Sequence, residues 1–383
     1  MSPRSDVESL PNTVENLLRV AFRHREELAE LQARLDQRDA QHDNDRSIQR
    51  DPSAARWKLV PALNTLQDLI DLERRGGETA TTSSSGSVVK YLLAHPEFSI
   101  RAVTRNPDSA SAQALKAQGV ELVKGDAADQ EACLRVCEGA WGVFGLTDFW
   151  AVYYSNGLDD QGAYEVEVQH GRNMVDAVKA KGVRVFVYST LNHTDTSAPH
   201  WEAKHVVNEY AKEAGVPLVS LYTSCYYENA TKFNMLQQGD HGELFLDFQI
   251  ASEIPFMCFS VNELGGWVAA AFRNPDRWLG KDMHALGEYV SLTEMGKILT
   301  KVLGRKVHTP TRTVEEFHAD EFKNRMDQEL WRNMAIFVDD DKPNTPHQLR
   351  DAQLSQAAFP GASTFERWAA HDEALQKAVD ASA

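Results

Sequence analysis

Two side chains one helical turn apart carry the plainest chemistry in this sequence. In His200-Trp201-Glu202-Ala203-Lys204 the imidazole and the ammonium fall on one face of a helix. An imidazole transfers protons near neutral pH. A lysine beside a proton donor can steer it or hold a ribose. The plainer reading of His200 is that it caps or packs the helix start, so Lys204 is the stronger candidate. Ser189 follows an apolar run and could also face a reacting group, although serine after a strand is common. Cys133 and Cys137 lie one turn apart, yet no histidine or second cysteine pair stands near them. No metal site is expected there, and buried reduced thiols are the simpler reading.

The elements that must position these groups alternate regularly. The stretch from Ile100 to Gly125 reads strand, helix, strand: an apolar run at 100–103, a helix over 110–118 stopped by Gly119, and a second run at 120–123. That is the rhythm of a parallel sheet. Further helices are expected over 129–138, 165–181 and 201–214, with strands over 140–147, 183–187 and 217–222 and a loop over 151–163. Each strand ends in a polar or aromatic cluster, and ligands bind at those carboxyl ends in such sheets. Arg105 ends the first of these strands with no acid beside it. In a dinucleotide-binding fold a carboxylate there accepts the 2′-hydroxyl of NAD, whereas an arginine suits the 2′-phosphate of NADP. The alternative is an ordinary solvated loop residue. Asp126, at the end of the next strand, could reach the adenine.

Length and charge bound the rest. The chain has 383 residues, 42% of them hydrophobic, which supports a substantial core. A net charge of −16 argues against a broad grip on nucleic acid or an anionic membrane. No apolar run is long enough to span a bilayer, and no signal peptide is evident. A cytoplasmic protein is expected, with the nucleus as a second location. Three regions follow from composition: a helical or disordered extension over 1–55, a nucleotide-binding domain over 56–230, and a smaller α/β lobe over 231–383. Within the last, a strand is expected over 242–248, helices over 261–272, 292–303, 317–337 and 364–379, and a strand over 306–311.

A gap precedes the helix-like stretch at 87–96. A nucleotide-binding sheet normally opens with an apolar strand running into G-x-x-G-x-x-G. Here Thr79, Thr82 and Ser85 stand at the glycine positions, and the adjacent strand is absent. The segment 57–63 could substitute, but Pro61 makes it a poor central strand.

The motifs GSVVKYLL, VTRNP, GDAAD, the Thr147–Trp150 cluster and CYYEN resemble the NmrA-like family of atypical short-chain dehydrogenase/reductases, from about Gly86 to the chain end. The resemblance implies a doubly wound parallel sheet with a small C-terminal lobe, and NADP(H) as cofactor. It implies that Ser83, Ser84, Ser85 and Gly86 meet the pyrophosphate, and that Arg105 and Asn106 hold the 2′-phosphate. Asp126 and Ala127 would line the adenine. Thr147, Asp148 and Phe149 would border the ribose and nicotinamide, Lys204 would face the nicotinamide ribose, and Tyr226, Tyr227, Glu228 and Asn229 would close over the nicotinamide. His200 stands where typical short-chain reductases carry a catalytic tyrosine, and Gln169 where some members carry a cofactor-binding lysine. The altered glycine loop and missing strand together predict weaker NADP(H) binding than is usual.

Two function classes follow. One is an NADP(H)-dependent oxidoreductase acting on a small, partly apolar metabolite. The other is a sensor of the NADP/NADPH ratio that binds a transcription factor or another protein. In either case the N-terminal helix could support a homodimer.

Overall fold

The computed structural model describes residues 57–61, 84–155, 159–239 and 242–380. The expected extension over 1–55 and positions Thr79, Thr82 and Ser83 lie outside them. Residues Arg56–Ala383 form one compact unit.

The chain enters with β1 (Trp57–Pro61), then α1 (Ser84–Leu93), β2 (Phe98–Thr104), α2 (Ala110–Ala117), β3 (Glu121–Lys124), α3 (Gln130–Cys137) and β4 (Gly142–Gly145). It continues through α4 (Phe149–Ser155), α5 (Asp160–Ala180), β5 (Val185–Thr190), α6 (Pro199–Glu213), β6 (Leu218–Tyr222), β7 (Cys225–Tyr226), β8 (Leu236–Gln238), β9 (Leu244–Leu246) and β10 (Phe256–Phe259). Then come α7 (Leu264–Arg273), β11 (Asp282–His284), β12 (Glu288–Val290), α8 (Leu292–Leu303), β13 (Val307–His308), α9 (Gln328–Ala335), α10 (Phe365–His371) and α11 (Glu373–Asp380).

Seven strands form one sheet in the order β11-β6-β5-β4-β1-β2-β3, every pair parallel. The order reverses direction between β1 and β4, which is the switch point where doubly wound sheets open a crevice. Adjacent residues along each strand feed opposite cores. Leu59, Phe144, Val187 and Val219 face one, with α1 and α7. Val60, Val143, Phe186 and Leu218 face the other, with α3, α5 and α6. A sheet covered on both faces needs apolar side chains at every position, which is why these strands read as continuous runs.

The absence of a first strand is corrected here. Trp57–Pro61 fills the central slot, with Leu59 opposite Ile100 on one side and Gly142 on the other. Leu59 and Val60 are fully buried. Pro61 is tolerated because it is the last residue of the strand, where one lost donor ends pairing that is already stopping. The strand escapes a local reading because residues 62–83 separate it from α1.

Three further expectations change. The loop over 151–163 is largely helix: Asp148 accepts the Ala151 N–H, starting α4, and the rings of Phe149 and Tyr153 stack 5.6 Å apart on one face of it. The helix over 317–337 is broken into short turns, because the Asp327 carboxylate caps the N–H groups of Glu329 and Leu330 and starts α9 anew. The chain after 230 is not a separate lobe throughout. β11 pairs with β6 in the main sheet, and α7 packs on α1, where the Gly265 N–H donates to Ser87 Oγ. A Cβ at Gly265 would lie 2.4 Å from the Ser87 carbonyl oxygen, so the two helices meet backbone to backbone. The remaining elements form a third core, built around Phe248, Phe256, Phe337 and Trp368, over the ends of the strands.

The register of β1 against β4 is testable. A Cβ on Gly142 would lie 2.7 Å from Leu59 Cδ2 and 2.8 Å from Phe272 Cε1. Gly142→Ala should therefore lower the urea unfolding free energy by about 1–3 kcal/mol through overpacking. Adding Leu59→Ala should cost less than the sum of the two single changes. Strict additivity would mean that Leu59 does not abut Gly142.

Candidate functional site

The carboxyl ends of β4, β5 and β6 open into a cavity of about 1560 Å³. Its wall includes Ser84 of α1, the Thr147–Trp150 turn, Ser189, His200 and Lys204, and the segment from Thr223 to Tyr226. The C-terminal lobe closes it with Met235, Asn333, Met334 and Phe337.

Lys204 is held by its helix contacts. Gly171 of α5 faces Val207 of α6 so closely that a Cβ would lie 2.3 Å from Val207 Cγ2. One turn earlier on both helices, that approach brings Glu167 to Lys204. The ammonium donates to Glu167 Oε1 at 2.6 Å, to the Thr147 carbonyl at 2.6 Å and to Thr147 Oγ1 at 3.1 Å. An ammonium has three hydrogens, and all three are used. The Glu167 side chain is fully buried and that of Lys204 is 11% exposed. Thr147 Oγ1 also meets the Tyr188 hydroxyl at 3.1 Å, and burial raises that phenol well above its ordinary pKa.

His200 is positioned from the opposite lobe. Its backbone N–H and ring Nδ1 both meet Glu329 Oε1, at 2.8 and 2.6 Å. Ring Nε2 is 3.2 Å from Asn333 Oδ1, which also accepts the Trp201 indole N–H. Both ring nitrogens thus have partners on the C-terminal lobe, which fix the plane of the ring. The ring lies 5.0 Å from that of Trp150 and 5.7 Å from that of Phe149. Packing and cavity exposure are both met. Glu329 in turn binds Arg332, which pairs with Asp160 of α5.

Arg105, Asn106 and Asp126 gather at the ends of β2 and β3, away from the cavity wall. The Arg105 Nε stands 3.9 Å from Asp126 Oδ2. Asn106 Oδ1 accepts the Asp108 N–H in the turn leading to α2, and Asp126 Oδ1 accepts the Ala128 N–H. Ala127 is fully buried, and its carbonyl accepts Asn173 Nδ2 at 2.8 Å. Tyr227 points away from the cavity into the third core, against Phe365 and Trp368. Burial raises the Glu228 carboxyl above its ordinary value. It accepts Ser260 Oγ at 2.6 Å and the Val261 N–H at 2.9 Å, which makes it a brace. Asn229 and Tyr226 line the cavity, as does Asn262, and the amide oxygens of Asn229 and Asn262 are buried with no hydrogen-bond partner among the described residues. Ser85 and Gly86 lie in the first turn of α1.

Glu167, Glu329, Asn333, Asn262 and Arg350 are absent from the reading of the sequence. Glu167 had a signal: it falls on the buried stripe of α5 with Ala163, Gly171, Met174 and Val178, where an acid requires a partner. Arg350 is fully buried, and its guanidinium donates to the Thr223 carbonyl and to Asn192 Oδ1, bracing the ends of β5 and β6. Burial lowers its pKa to about 10. No local pattern marks it or Glu329.

The profile of the NmrA-like family matches residues 79–369. An NmrA-like family domain-containing oxidoreductase, FrzB, of a Cladobotryum species is 27% identical over 250 residues, 59% of this chain and 72% of that protein. One from Aspergillus hancockii is 28% identical over 62% of this chain and 75% of its own length. Among solved structures, NmrA, a negative transcriptional regulator in complex with NADP, superposes with a TM-score of 0.64 at 16% identity, over 85% of this chain and 98% of that one. An NADPH-dependent quinone oxidoreductase from Escherichia coli, complexed with NADPH, does so with a TM-score of 0.57 at 20% identity, over 82% and 99%. At these identities the structural likeness establishes the fold.

The Lys204–Glu167 pair gives a direct test. Lys204→Met alone leaves a buried carboxylate and should cost about 3–5 kcal/mol in guanidinium unfolding. The double variant Glu167→Leu/Lys204→Met should recover most of that loss. A double variant as unstable as the two single changes summed would mean that the pair is not coupled.

Proposed function

Because the chain belongs to the NmrA-like family, we propose that it is an NADP(H)-dependent oxidoreductase of an apolar metabolite. The observation that carries this reading is one edge of the parallel sheet, where the strand ends carry a cation (Arg105, after β2) and an aromatic-lined cavity (beyond β4, β5 and β6). The curated relatives are named oxidoreductases, and two structures of the same fold hold NADP or NADPH.

The residues present fit the cofactor. Arg105, with no acid on its own strand end, suits the 2′-phosphate, with Asn106 beside it. Ser84 and Ser85 open α1 at the crevice, where helix N–H groups favour a pyrophosphate. The partnerless amide oxygens of Asn229 and Asn262 suit the two hydrogens of a carboxamide. NADPH would supply a hydride there.

The chain's own groups do the rest. Lys204 fixes the Thr147 carbonyl and hydroxyl, so that the turn carrying Asp148 and Phe149 keeps one shape. With its three hydrogens taken, Lys204 serves this reading as a positioning residue. His200, held by Glu329 with its ring on the cavity wall, is the proton donor to a reduced carbonyl or quinone oxygen. Ser189 lies on the same wall and can orient that oxygen. Trp150, Phe337 and Met334 exclude water.

With β1 in place, only the residues replacing the glycine loop argue for weak cofactor binding. The alternative of a ratio-sensing regulator acting with a protein partner, in the nucleus or as a homodimer, rests on fold likeness. The aromatic cavity favours catalysis. Among the described residues no helix is long and apolar enough to cross a membrane, and the cytoplasm is the compartment this reading uses.

Calorimetry on both cofactors tests the assignment. NADPH should bind more tightly than NADH. Arg105→Ala should weaken NADPH by roughly tenfold or more, the loss of one charge-assisted contact, and leave NADH unchanged. Equal affinities, unmoved by the substitution, would remove NADP(H) preference from the account. Substrate-dependent NADPH oxidation over a panel of carbonyl compounds and quinones separates an enzyme from a sensor.

A further inference from the structure

Four large apolar side chains stand exposed among the described residues: Tyr154 at 64%, Phe233 at 65%, Phe245 at 47% and Leu354 at 38%. The first three line the one cavity described above. Water-facing aromatic rings concentrated at the mouth of a concavity are a cost that a bound apolar molecule removes.

The rings are held flat and firm. Tyr154 stacks on Trp150 with centroids 5.7 Å apart and planes 20° from parallel. Phe245 stacks on His308 at 5.2 Å and 22°. One pair belongs to α4 of the nucleotide-binding region, the other to β9 and β13 of the C-terminal lobe. Phe233 follows the short helix Asn229–Lys232 on the same wall.

Several of the charges on the wall are already taken up. Lys204 is satisfied by Glu167 and Thr147. Asp247 forms a two-point pair with Arg312. Glu228 is occupied by Ser260 and Val261, and Asp372 caps the Leu375 N–H. At these groups a charged ligand would have to displace a partner, whereas a neutral one need not. The volume of about 1560 Å³ exceeds the roughly 300–1,000 Å³ of a pocket for one drug-sized ligand. The cofactor's nicotinamide half and a second molecule of that class therefore fit together.

We infer that the substrate is a neutral, planar molecule of two or more fused rings, received by the Tyr154, Phe233 and Phe245 rings at the cavity mouth. This deepens the oxidoreductase reading and rests on it for the word substrate. A protein segment suits the site less well, because the apolar rim leads inward to a floor carrying His200 and Lys204 rather than along the surface.

The test is binding without turnover. The full chain, saturated with NADP⁺, is titrated with the neutral two-ring fluorophore 6-propionyl-2-dimethylaminonaphthalene. Cyclohexanone and 2-naphthoate serve as competitors. The emission should shift to the blue, and neither competitor should displace the probe at equal concentration. Tyr154→Ser/Phe233→Ser, both at exposed positions, should weaken the probe at least tenfold while leaving NADP⁺ affinity and the melting temperature unchanged. Three results would each overturn the inference: no binding of the probe, equal affinity in the double variant, or better competition by 2-naphthoate. So would a rim that sedimentation shows to be buried in a dimer which the double variant dissolves. Probe binding that persists while NADP⁺ fails to bind would sink the redox reading and leave the ring-binding site standing.

Discussion

A buried ammonium organises this site. Placing the Lys204 charge near the sheet is costly unless every hydrogen finds an acceptor. The chain meets that demand from three elements: Glu167 on α5 and both oxygens of Thr147 after β4, with Lys204 itself on α6. Moving any one of them strands a charge or a carbonyl. The turn after β4, the spacing of α5 and α6, and the floor of the cavity are thus one constraint. Gly171 belongs to it, since a larger residue would hold the two helices apart. The aromatic cluster of α4 inherits its position from the same turn.

The C-terminal lobe is tied to these strand ends by polar groups of the same kind. Glu329 and Asn333 reach His200, Asp327 receives the Tyr153 hydroxyl, and Arg350 braces Thr223 and Asn192. Arg350 is a guanidinium satisfied mainly by uncharged oxygens, and burial lowers its pKa to about 10. These links are long in sequence and short in space. They make the cavity a joint product of the two regions, with the proton-donor candidate held from one side and its lysine neighbour from the other.

What could be read from the sequence follows from how local the cause is. Strands β2 to β6 and helices α5, α6 and α8 are legible because sheet burial on both faces and helical periodicity act over a few residues. The candidates on the strand ends, Arg105, Thr147, Ser189 and Asn229, follow from that rhythm. The central strand was missed because residues 62–83 separate it from its helix, and Pro61 counts against it only if its place at the strand's end is unknown. Helix α4 was missed because glycines and acids at 157–162 dominate the composition there, whereas ring stacking decides the structure. At Tyr227 the motif places the backbone, but packing against Phe365 and Trp368 decides which way the side chain points. Glu329 and Arg350 act across 129 and 127 residues of chain, beyond any local pattern.

The central claim is the proposal that the strand ends on one edge of the sheet receive a dinucleotide, with Arg105 toward one end and Thr147 and Asn229 toward the other. Hydrogen–deuterium exchange of the full chain, with and without saturating NADP⁺, tests this most directly, because it reports on every segment at once without a substrate. Slowed exchange at 84–88, 104–106, 147–150 and 225–230 together is the predicted result. Unchanged exchange there, or protection confined to a different face of the molecule, would contradict it.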